Sequence, residues 1–239
     1  MRAPSVLSAK HAAVVPVPKL ENDFYDWYVR HEAKVVEAAG GACDLVFIGD
    51  SITHLFEGHP NWSGRGERVW AEFYSRRKVL NLGFGWDRTQ NVLWRLDHGE
   101  FTGQTPRLVV LLIGTNNLTP TANAPRSSPE QIGEGIAAIC QRIRSLSPES
   151  RILLMGILPR SEPDDVLRGD IHRANELLKD YSQTQVAIDF VDIGDRFVDE
   201  TGRIPVTLME DLVHPTEMGY RIWAEALEPT VLAVLGGGR

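Results

Sequence analysis

Five short apolar segments of strand-forming character, separated by longer segments of helical periodicity, constrain the fold of this chain most. The predicted strands are Asp44–Ile48, Lys78–Leu82, Arg107–Ile113, Arg151–Ile157 and Val186–Val191. Helices are predicted at Phe24–Ala39, Glu67–Ser75, Thr89–Leu96, Pro129–Leu146, Asp165–Tyr181 and Thr216–Leu235. This alternation predicts right-handed βαβ units, and therefore a mostly parallel five-stranded sheet with helices on both faces.

The domain organisation follows from length and composition. The 239 residues contain no composition break and no repeat of fixed period, so one domain is predicted over residues 1–239. Residues 1–19 contain three prolines and are expected to form an extended arm over the surface. Residues 236–239 are expected to form a loose tail.

Charge and cysteine content exclude several classes of function. A net charge of −7 argues against nucleic-acid binding and against docking on anionic membranes, because both need a positive surface. The two cysteines, Cys43 and Cys140, form no C-x-x-C motif and are expected to be buried free thiols, with a single disulfide as the alternative. His31-Glu32 lacks the second histidine of H-E-x-x-H, so no metal site is predicted.

The expected location of the protein is the cytoplasm. No apolar run approaches the roughly 20 residues that a membrane span needs. Residues 1–20 lack the uninterrupted apolar region of a signal peptide. An exported protein is the alternative if the chain is a mature or trimmed form.

A serine follows the first predicted strand in Gly49-Asp50-Ser51. Serine needs a histidine to take its proton and a carboxylate to orient that histidine before it becomes a useful nucleophile. The alternative is that Ser51 only caps a helix. The G-x-S-x-G motif of ordinary α/β-hydrolases is absent, because Thr53 occupies the position of the second glycine.

An acid and a histidine in the right spacing lie near the end of the chain. Asp211 precedes His214 by three residues in a segment without strand or helix periodicity, and Pro215 disfavours the helical conformation for His214. In a histidine held in this way, a hydrogen bond from one ring nitrogen to the carboxylate can orient the ring, and the other nitrogen can act as a base. His54 is the rival base, but it is expected to lie one helical turn beyond Ser51.

Two turns that follow strands are candidates for stabilising a developing oxyanion. Gly114-Thr-Asn-Asn117 offers a side-chain amide, although turn formation alone would also explain these residue types. Asn81-Leu-Gly-Phe-Gly-Trp-Asp-Arg-Thr89 opens a helix and could offer backbone N–H groups. Arg88 replaces the third glycine of G-x-G-x-x-G, so a nucleotide or flavin cofactor is not predicted.

These four blocks together resemble the SGNH (GDSL-type) hydrolase superfamily, from about residue 44 to about residue 220. Within it, the chain looks most like the catalytic subunits of intracellular platelet-activating-factor acetylhydrolase and related bacterial esterases. The resemblance implies a flavodoxin-like three-layer α/β/α sandwich. It also implies catalysis by Ser51, Asp211 and His214, with the Ser51 N–H and the Asn116 amide in the oxyanion hole.

The second block departs from the family pattern at Trp86, where the family usually has the glycine that donates its backbone N–H. Trp86 keeps such an N–H, and Gly85 is the alternative donor if the turn is shifted by one residue. The indole either packs over the following helix or forms a wall of the acyl pocket. Asp50, Trp86 and Asn117 are predicted to bind substrate, and Trp62 is a further aromatic surface for a sugar ring.

The predicted function is hydrolysis of short-chain esters, acetyl esters above all, through an acyl-enzyme and without a metal or organic cofactor. The expected partner is a small-molecule ester, with carbohydrate O-acetyl esters as the leading candidate. A homodimer is a further expectation that rests on the resemblance. The alternatives are a lysophospholipase, a thioesterase, or a catalytically idle protein that uses the same fold as a docking surface.

Overall fold

The computed structural model describes residues 11–236 and contains a five-stranded sheet. Its strands are β1 (Leu45–Gly49), β2 (Val79–Gly83), β3 (Leu108–Leu112), β4 (Arg151–Met155) and β5 (Ile188–Val191). They lie in the order β2-β1-β3-β4-β5, and every neighbouring pair is parallel. The predicted flavodoxin-like α/β architecture is confirmed, and the sheet is entirely rather than mostly parallel.

Seven helices connect and cover the strands within residues 11–236. They are α1 (Trp27–Ala39), α2 (Ser51–His54), α3 (Glu67–Tyr74), α4 (Thr89–Asp97), α5 (Pro129–Leu146), α6 (Val166–Gln183) and α7 (Glu217–Leu235). Helix α1 begins three residues later than predicted because the Asp26 side chain accepts hydrogen bonds from Tyr28 and Val29 and so caps it. The short helix α2 was not predicted.

The pleat of the central strands divides the core into two layers. In β3, Val109 and Leu111 pack toward α4, α5 and α6, whereas Leu108 and Val110 pack toward α3 and α7. This two-sided burial explains why the segment is apolar without alternation. Cys140 is a buried free thiol as expected, whereas Cys43, also free, is only half-buried.

The described part of the N-terminal arm is anchored rather than simply extended. Ala12–Val14 forms one 3₁₀ turn, the Ala13 side chain is buried, and the Thr89 hydroxyl donates to the Ala13 carbonyl. Val17 donates its backbone N–H to Gln90 at the start of α4. The rest of the predicted arm and most of the tail lie outside the described residues. No described helix has the length and apolar character required to cross a bilayer.

The fold brings three segments with predicted functional residues together at the carboxyl-terminal end of the sheet. Gly49, Gly83 and Leu112 end the parallel strands β1, β2 and β3 there. The chain departs in opposite directions from β1 and β3, and such a switch point opens a crevice beyond the strand ends. A Cβ at Gly49 would overlap the Leu112 carbonyl, so this close approach requires glycine.

Candidate active site

Ser51 is the first residue of α2, directly above the end of β1. The Asp50 carboxylate accepts a hydrogen bond from the Ile52 N–H and caps the helix. The Ser51 side chain therefore sits at a fixed turn between a buried strand and a helix. This turn directs the hydroxyl toward the crevice at the carboxyl edge of the sheet.

Three side chains form one hydrogen-bonded chain across this crevice. His214 Nε2 lies 2.9 Å from Ser51 Oγ, and His214 Nδ1 lies 2.7 Å from Asp211 Oδ2. Ser51 and His214 are separated by 163 residues, so tertiary folding alone brings them together. The arrangement allows the imidazole to accept the serine proton while the carboxylate holds its tautomer.

A compact turn holds the base and its acid. Asp211 Oδ1 accepts the backbone N–H groups of Val213 at 3.0 Å and His214 at 2.7 Å. Leu212 between them adopts a left-handed conformation with φ of 61°, which is costly for a branched residue. Burial by itself would raise the pKa of Asp211, but the hydrogen bonds from the His214 ring and from the His214 and Val213 backbone outweigh it and hold that pKa below its usual value.

The Asn116 amide and two backbone N–H groups surround the same crevice. Asn116 lies in a 3₁₀ turn (Thr115–Leu118) that begins after Gly114, whose φ of 126° requires glycine. Its Nδ2 donates to the Asp87 carbonyl at 3.0 Å, which leaves the second amide hydrogen for a ligand. Among the described residues, nothing accepts a hydrogen bond from the backbone N–H of Ser51 or Trp86.

A cavity of about 250 Å³ opens over these groups. Its lining is Asp23, Ser51, Trp62, Trp86, Asn116, Thr119, Arg160, Val213 and His214. The ring of Trp62 meets the edge of His214 with a centroid distance of 4.8 Å. The cavity therefore combines apolar aromatic walls with a nucleophile, a base and amide donors.

Comparison with known proteins agrees with this geometry. The family model described as GDSL-like lipase/acylhydrolase matches residues 47–222. Platelet-activating factor acetylhydrolase IB subunit alpha1 of Rattus norvegicus is 33% identical over 220 residues, which are 92% of this chain and 88% of that protein. This chain belongs to the GDSL-like lipase/acylhydrolase family.

Solved structures show the same fold at lower sequence identity. A GDSL-like lipase from Bacteroides thetaiotaomicron superposes with a TM-score of 0.68 at 20% identity, over 86% of this chain and 98% of its own. An acetylxylan esterase from Geobacillus stearothermophilus superposes with a TM-score of 0.62 at 20% identity, over 82% and 95% of the two chains. The predicted relationship to SGNH (GDSL-type) hydrolases is confirmed.

The departure of this GDSL-family chain at Trp86 has a visible backbone consequence. Trp86 has a φ of 63°, in the left-handed region where glycine is favoured. The residue is 37% exposed and lines the cavity. Gly85, the alternative donor, does not line the cavity, and its buried carbonyl accepts the Tyr25 hydroxyl. The geometry thus favours Trp86 over Gly85 as the backbone donor and places the indole as a cavity wall.

Two residues assigned to substrate binding do not reach the cavity. Asn117 is fully buried, where its amide binds Thr89 and Gln90 and so fixes the start of α4. Asp50 is 1% exposed and caps α2. Each of these side chains turns inward and hydrogen-bonds neighbouring backbone or side-chain groups, so their predicted role in substrate binding gains no support from the cavity.

His54, the rival base, points away from Ser51. It is buried among aromatic rings, 4.8 Å from Tyr25 and 5.4 Å from His59 between centroids. Burial and the charge of Arg30 lower its pKa to about 2, so this imidazole stays neutral. It therefore packs as part of the aromatic cluster and does not compete with His214.

Three residues near the reacting groups were not predicted from the sequence. Asp23 and Arg160 line the cavity, and Arg65 donates to the His214 carbonyl at 3.3 Å. Asp23 comes from the segment before α1, and Arg160 follows β4 by five residues. The position of Arg160 beyond a strand end was a usable signal, whereas nothing in the sequence indicated Asp23 or Arg65.

A buried network of charged side chains fixes the turn at Trp86 and Asp87, which lies next to Asn116. Arg95 of α4 donates through Nε to Asp87 Oδ2 at 2.7 Å and also pairs with Glu100. Trp27 donates to the other Asp87 oxygen at 2.7 Å, and His31 contacts Glu100 at 2.7 Å. Burial raises the pKa of Asp87 to about 6 although Arg95 opposes this shift. The network fixes the residue whose carbonyl orients Asn116.

A second cavity of about 240 Å³ lies beyond the ends of β4 and β5. It is lined by Arg168, His172, Asn175 and Asp192 among others, and contains no serine or cysteine. Within residues 11–236, no three histidine, cysteine or acidic side chains cluster as a metal site. The nucleophile and its base thus select the cavity over Ser51 as the active-site candidate.

Proposed function

We propose that this protein is a serine esterase that hydrolyses short-chain esters through an acyl-enzyme. The carrying observation is the hydrogen-bonded chain from Ser51 Oγ through the His214 ring to Asp211. In the first half-reaction, His214 Nε2 takes the Ser51 proton while Oγ bonds to the ester carbonyl carbon. The tetrahedral intermediate then expels the alcohol, which receives that proton from His214.

The second half-reaction releases the acid. His214 removes a proton from water, the resulting hydroxyl oxygen bonds to the acyl carbon, and Ser51 leaves with the proton that His214 returns. In both steps the Ser51 and Trp86 N–H groups and the Asn116 amide stabilise the oxyanion. One such donor contributes about 3 kcal/mol to transition-state stabilisation.

The cavity size supports acetyl and other short acyl groups. A space of about 250 Å³ between Trp62 and Trp86 leaves little room for a long alkyl chain. The named relatives point the same way, since one is an acetylhydrolase and one an acetylxylan esterase. Carbohydrate O-acetyl esters are the leading substrate class in this proposal, with the two indoles as surfaces for a sugar ring.

The alternatives gain less support. A lysophospholipase or thioesterase for long acyl chains needs a longer apolar channel than this cavity. A catalytically idle docking protein would have no use for a base within 2.9 Å of the nucleophile. The cytoplasmic location and the homodimer stay predictions.

The decisive experiment is hydrolysis of p-nitrophenyl esters of increasing chain length by the wild type, Ser51→Ala and Ser75→Ala. We expect acetate to be the best substrate and Ser51→Ala to lose activity on the order of 10⁴-fold or more. Ser75, which only bonds the Ala71 carbonyl on α3, serves as the matched serine control and should leave the rate unchanged. A folded wild type without activity on any ester would reject the proposal.

A second variant tests the short-chain preference. Trp86→Gly removes the indole wall and relieves the left-handed strain, so the backbone N–H keeps its place. We expect the optimum acyl length to shift upward, with butyrate or hexanoate gaining relative to acetate. An unchanged chain-length profile would show that Trp86 does not limit the acyl pocket.

A further inference from the structure

Arg160 places a positive charge in the cavity above Ser51. It lies in the segment that follows β4, and the cavity lining also includes Thr119, the acidic Asp23 and the imidazole of His214. The cation is therefore close to any ester bound at Ser51. The catalytic steps described above assign it no role.

The contacts of Arg160 leave part of its guanidinium unused. Nη1 donates toward the Thr115 carbonyl at 3.2 Å, the Thr115 hydroxyl at 3.3 Å and the Thr119 hydroxyl at 3.1 Å. Nη2 makes no hydrogen bond among the described residues, and Nε is buried without a partner there. Guanidinium groups normally use several of their five N–H donors, so this side chain has free capacity.

No carboxylate within residues 11–236 pairs with Arg160 at ion-pair distance. Asp50, Asp165 and Asp211 act on it only over longer distances, whereas Asp23 interacts with His214 and His59. The fully buried Arg95 differs, because it pairs with both Asp87 and Glu100. A half-buried cation held only by neutral oxygens attracts an anion from outside.

The backbone around Arg160 holds it in this position. Ser161 has a φ of 63°, in the left-handed region, and donates its N–H to the Leu212 carbonyl at 3.3 Å. The segment with Arg160 is thus tied to the loop that holds the catalytic base. Strained conformations of this kind persist where surrounding contacts determine them and are frequent at ligand sites.

We propose that Arg160 binds an anionic oxygen group, a carboxylate or a phosphate, carried by the ester substrate, so that the enzyme prefers anionic esters to neutral ones of similar size. This proposal rests on the proposed esterase function of the Ser51 cavity. The free Nη2 supplies the charge-assisted donors. Asp23, which does not pair with Arg160, disfavours the anionic group elsewhere in the cavity, and so directs it toward the guanidinium.

The test compares matched neutral and anionic substrates. Mono-4-nitrophenyl succinate against 4-nitrophenyl butyrate places the charge on the acyl side, and 4-acetoxybenzoate against phenyl acetate places it on the leaving group. For one of the two pairs we expect Arg160→Gln to lower kcat/KM for the anionic ester about 10- to 100-fold more than for its neutral partner, mainly through KM. Arg160→Lys should restore part of this preference.

Arg173→Gln is the matched control. Arg173 lies on the neighbouring helix α6 and carries the same charge, but it pairs with Glu130 and Glu176 and lines neither of the two cavities. It should leave the anionic-to-neutral ratio unchanged. If Arg160 had a purely structural role through Thr115 and Thr119, Arg160→Gln would lower kcat/KM equally for both substrates of a pair. That result would overturn the proposal.

A binding measurement separates this proposal from the esterase function. Titration calorimetry of Ser51→Ala with succinate and with inorganic phosphate should detect binding of at least one of them. The double variant Ser51→Ala/Arg160→Gln should lose it. Arg160-dependent binding in a protein that hydrolyses no ester would reject the esterase function but support the anion site. Esterase activity without anion binding or anionic preference would overturn the anion site alone.

Discussion

The two sides of the candidate active site are held by different kinds of interaction. On the oxyanion side, the turn at Asp87 is supported by Arg95 and Glu100, which are almost completely buried. On the base side, Asp211 and His214 form a local turn in which the Asp211 side chain remains 40% exposed. The donor side therefore depends on the core of the protein, whereas the base side depends on a few short-range hydrogen bonds and a strained Leu212.

This difference separates stability from catalysis. Changes in the buried network are expected to destabilise the protein strongly, because an unpaired buried charge is costly. Changes in the base turn are expected to leave the fold intact and to remove the reaction. Arg95 also donates to the Leu82 carbonyl at 3.2 Å, so its loss is expected to destabilise the end of β2 as well.

The largest effect is expected on the base side with Asp211→Asn. The new amide oxygen can still accept the Val213 and His214 N–H groups, but the amide nitrogen would face His214 Nδ1 and favour the wrong tautomer. We expect kcat to fall on the order of 10⁴-fold, with only a modest fall in the melting temperature because the lost contacts of the Asp211 charge are partly exposed to solvent. Ester hydrolysis and thermal unfolding of the same preparation check this, and a large loss of stability would contradict the local nature of the turn.

On the donor side, Arg95→Met is expected to lower the free energy of unfolding by about 3–5 kcal/mol, because it leaves Asp87 and Glu100 buried without a partner. Urea denaturation measures this loss. Arg142→Met is the control, since Arg142 pairs with Asp97 at the surface and should cost less than about 1 kcal/mol. Equal losses in the two variants would remove the distinction between the two sides.

A pH-dependent effect, at most comparable to the loss at Arg95, is expected at Asp50, between the two sides. Burial raises the pKa of this carboxyl from 3.8 to about 7, and its Oδ2 has no partner in the described part of the chain. The folded state therefore binds the proton more tightly than the unfolded state does. Stability should fall as the pH rises from about 4 to about 7, by up to about 1.4 kcal/mol per pH unit.

Asp50→Asn removes this titration and keeps an oxygen that can accept the Ile52 N–H. The stability of the variant relative to the wild type should thus increase across that pH range and stay constant above it. Urea denaturation at about pH 4 and about pH 8 measures the change. Asp44→Asn, an exposed acid directly before β1, is the control. Parallel profiles for Asp50→Asn and the wild type would contradict the raised pKa.

Much of the fold could be predicted because it depends on local sequence patterns. The apolar strands and the helices follow from periodicity. Helix α5 begins and ends at the predicted residues, and Ser128 and Pro129 mark its start. Helix α2 was missed because four residues show no periodicity. Helix α1 was predicted to begin too early, because the sequence alone does not distinguish Asp26 as its cap from other polar residues nearby.

The site was predictable only where a residue type has a specific chemical use. The predicted residues follow strands or interrupt periodicity. The structure brings Ser51, Asn116 and His214 to one cavity, and Asp211 is hydrogen-bonded to His214 behind it. Asn117 and Asp50 have the same polar character and sit beside them in sequence. Whether each turns toward the cavity or toward the backbone depends on neighbours that sequence adjacency does not reveal.

The sequence by itself determined the family and the parallel α/β architecture and indicated which residues to propose as nucleophile, base and acid, because periodicity and short motifs are local properties of the chain. Only the tertiary structure decided that His214 and not His54 faces Ser51 and that Trp86 adopts a left-handed turn as a cavity wall. It also decided that Asp23 and Arg160 enter the cavity. Those outcomes depend on which distant segments the sheet brings together, and no local pattern encodes such contacts.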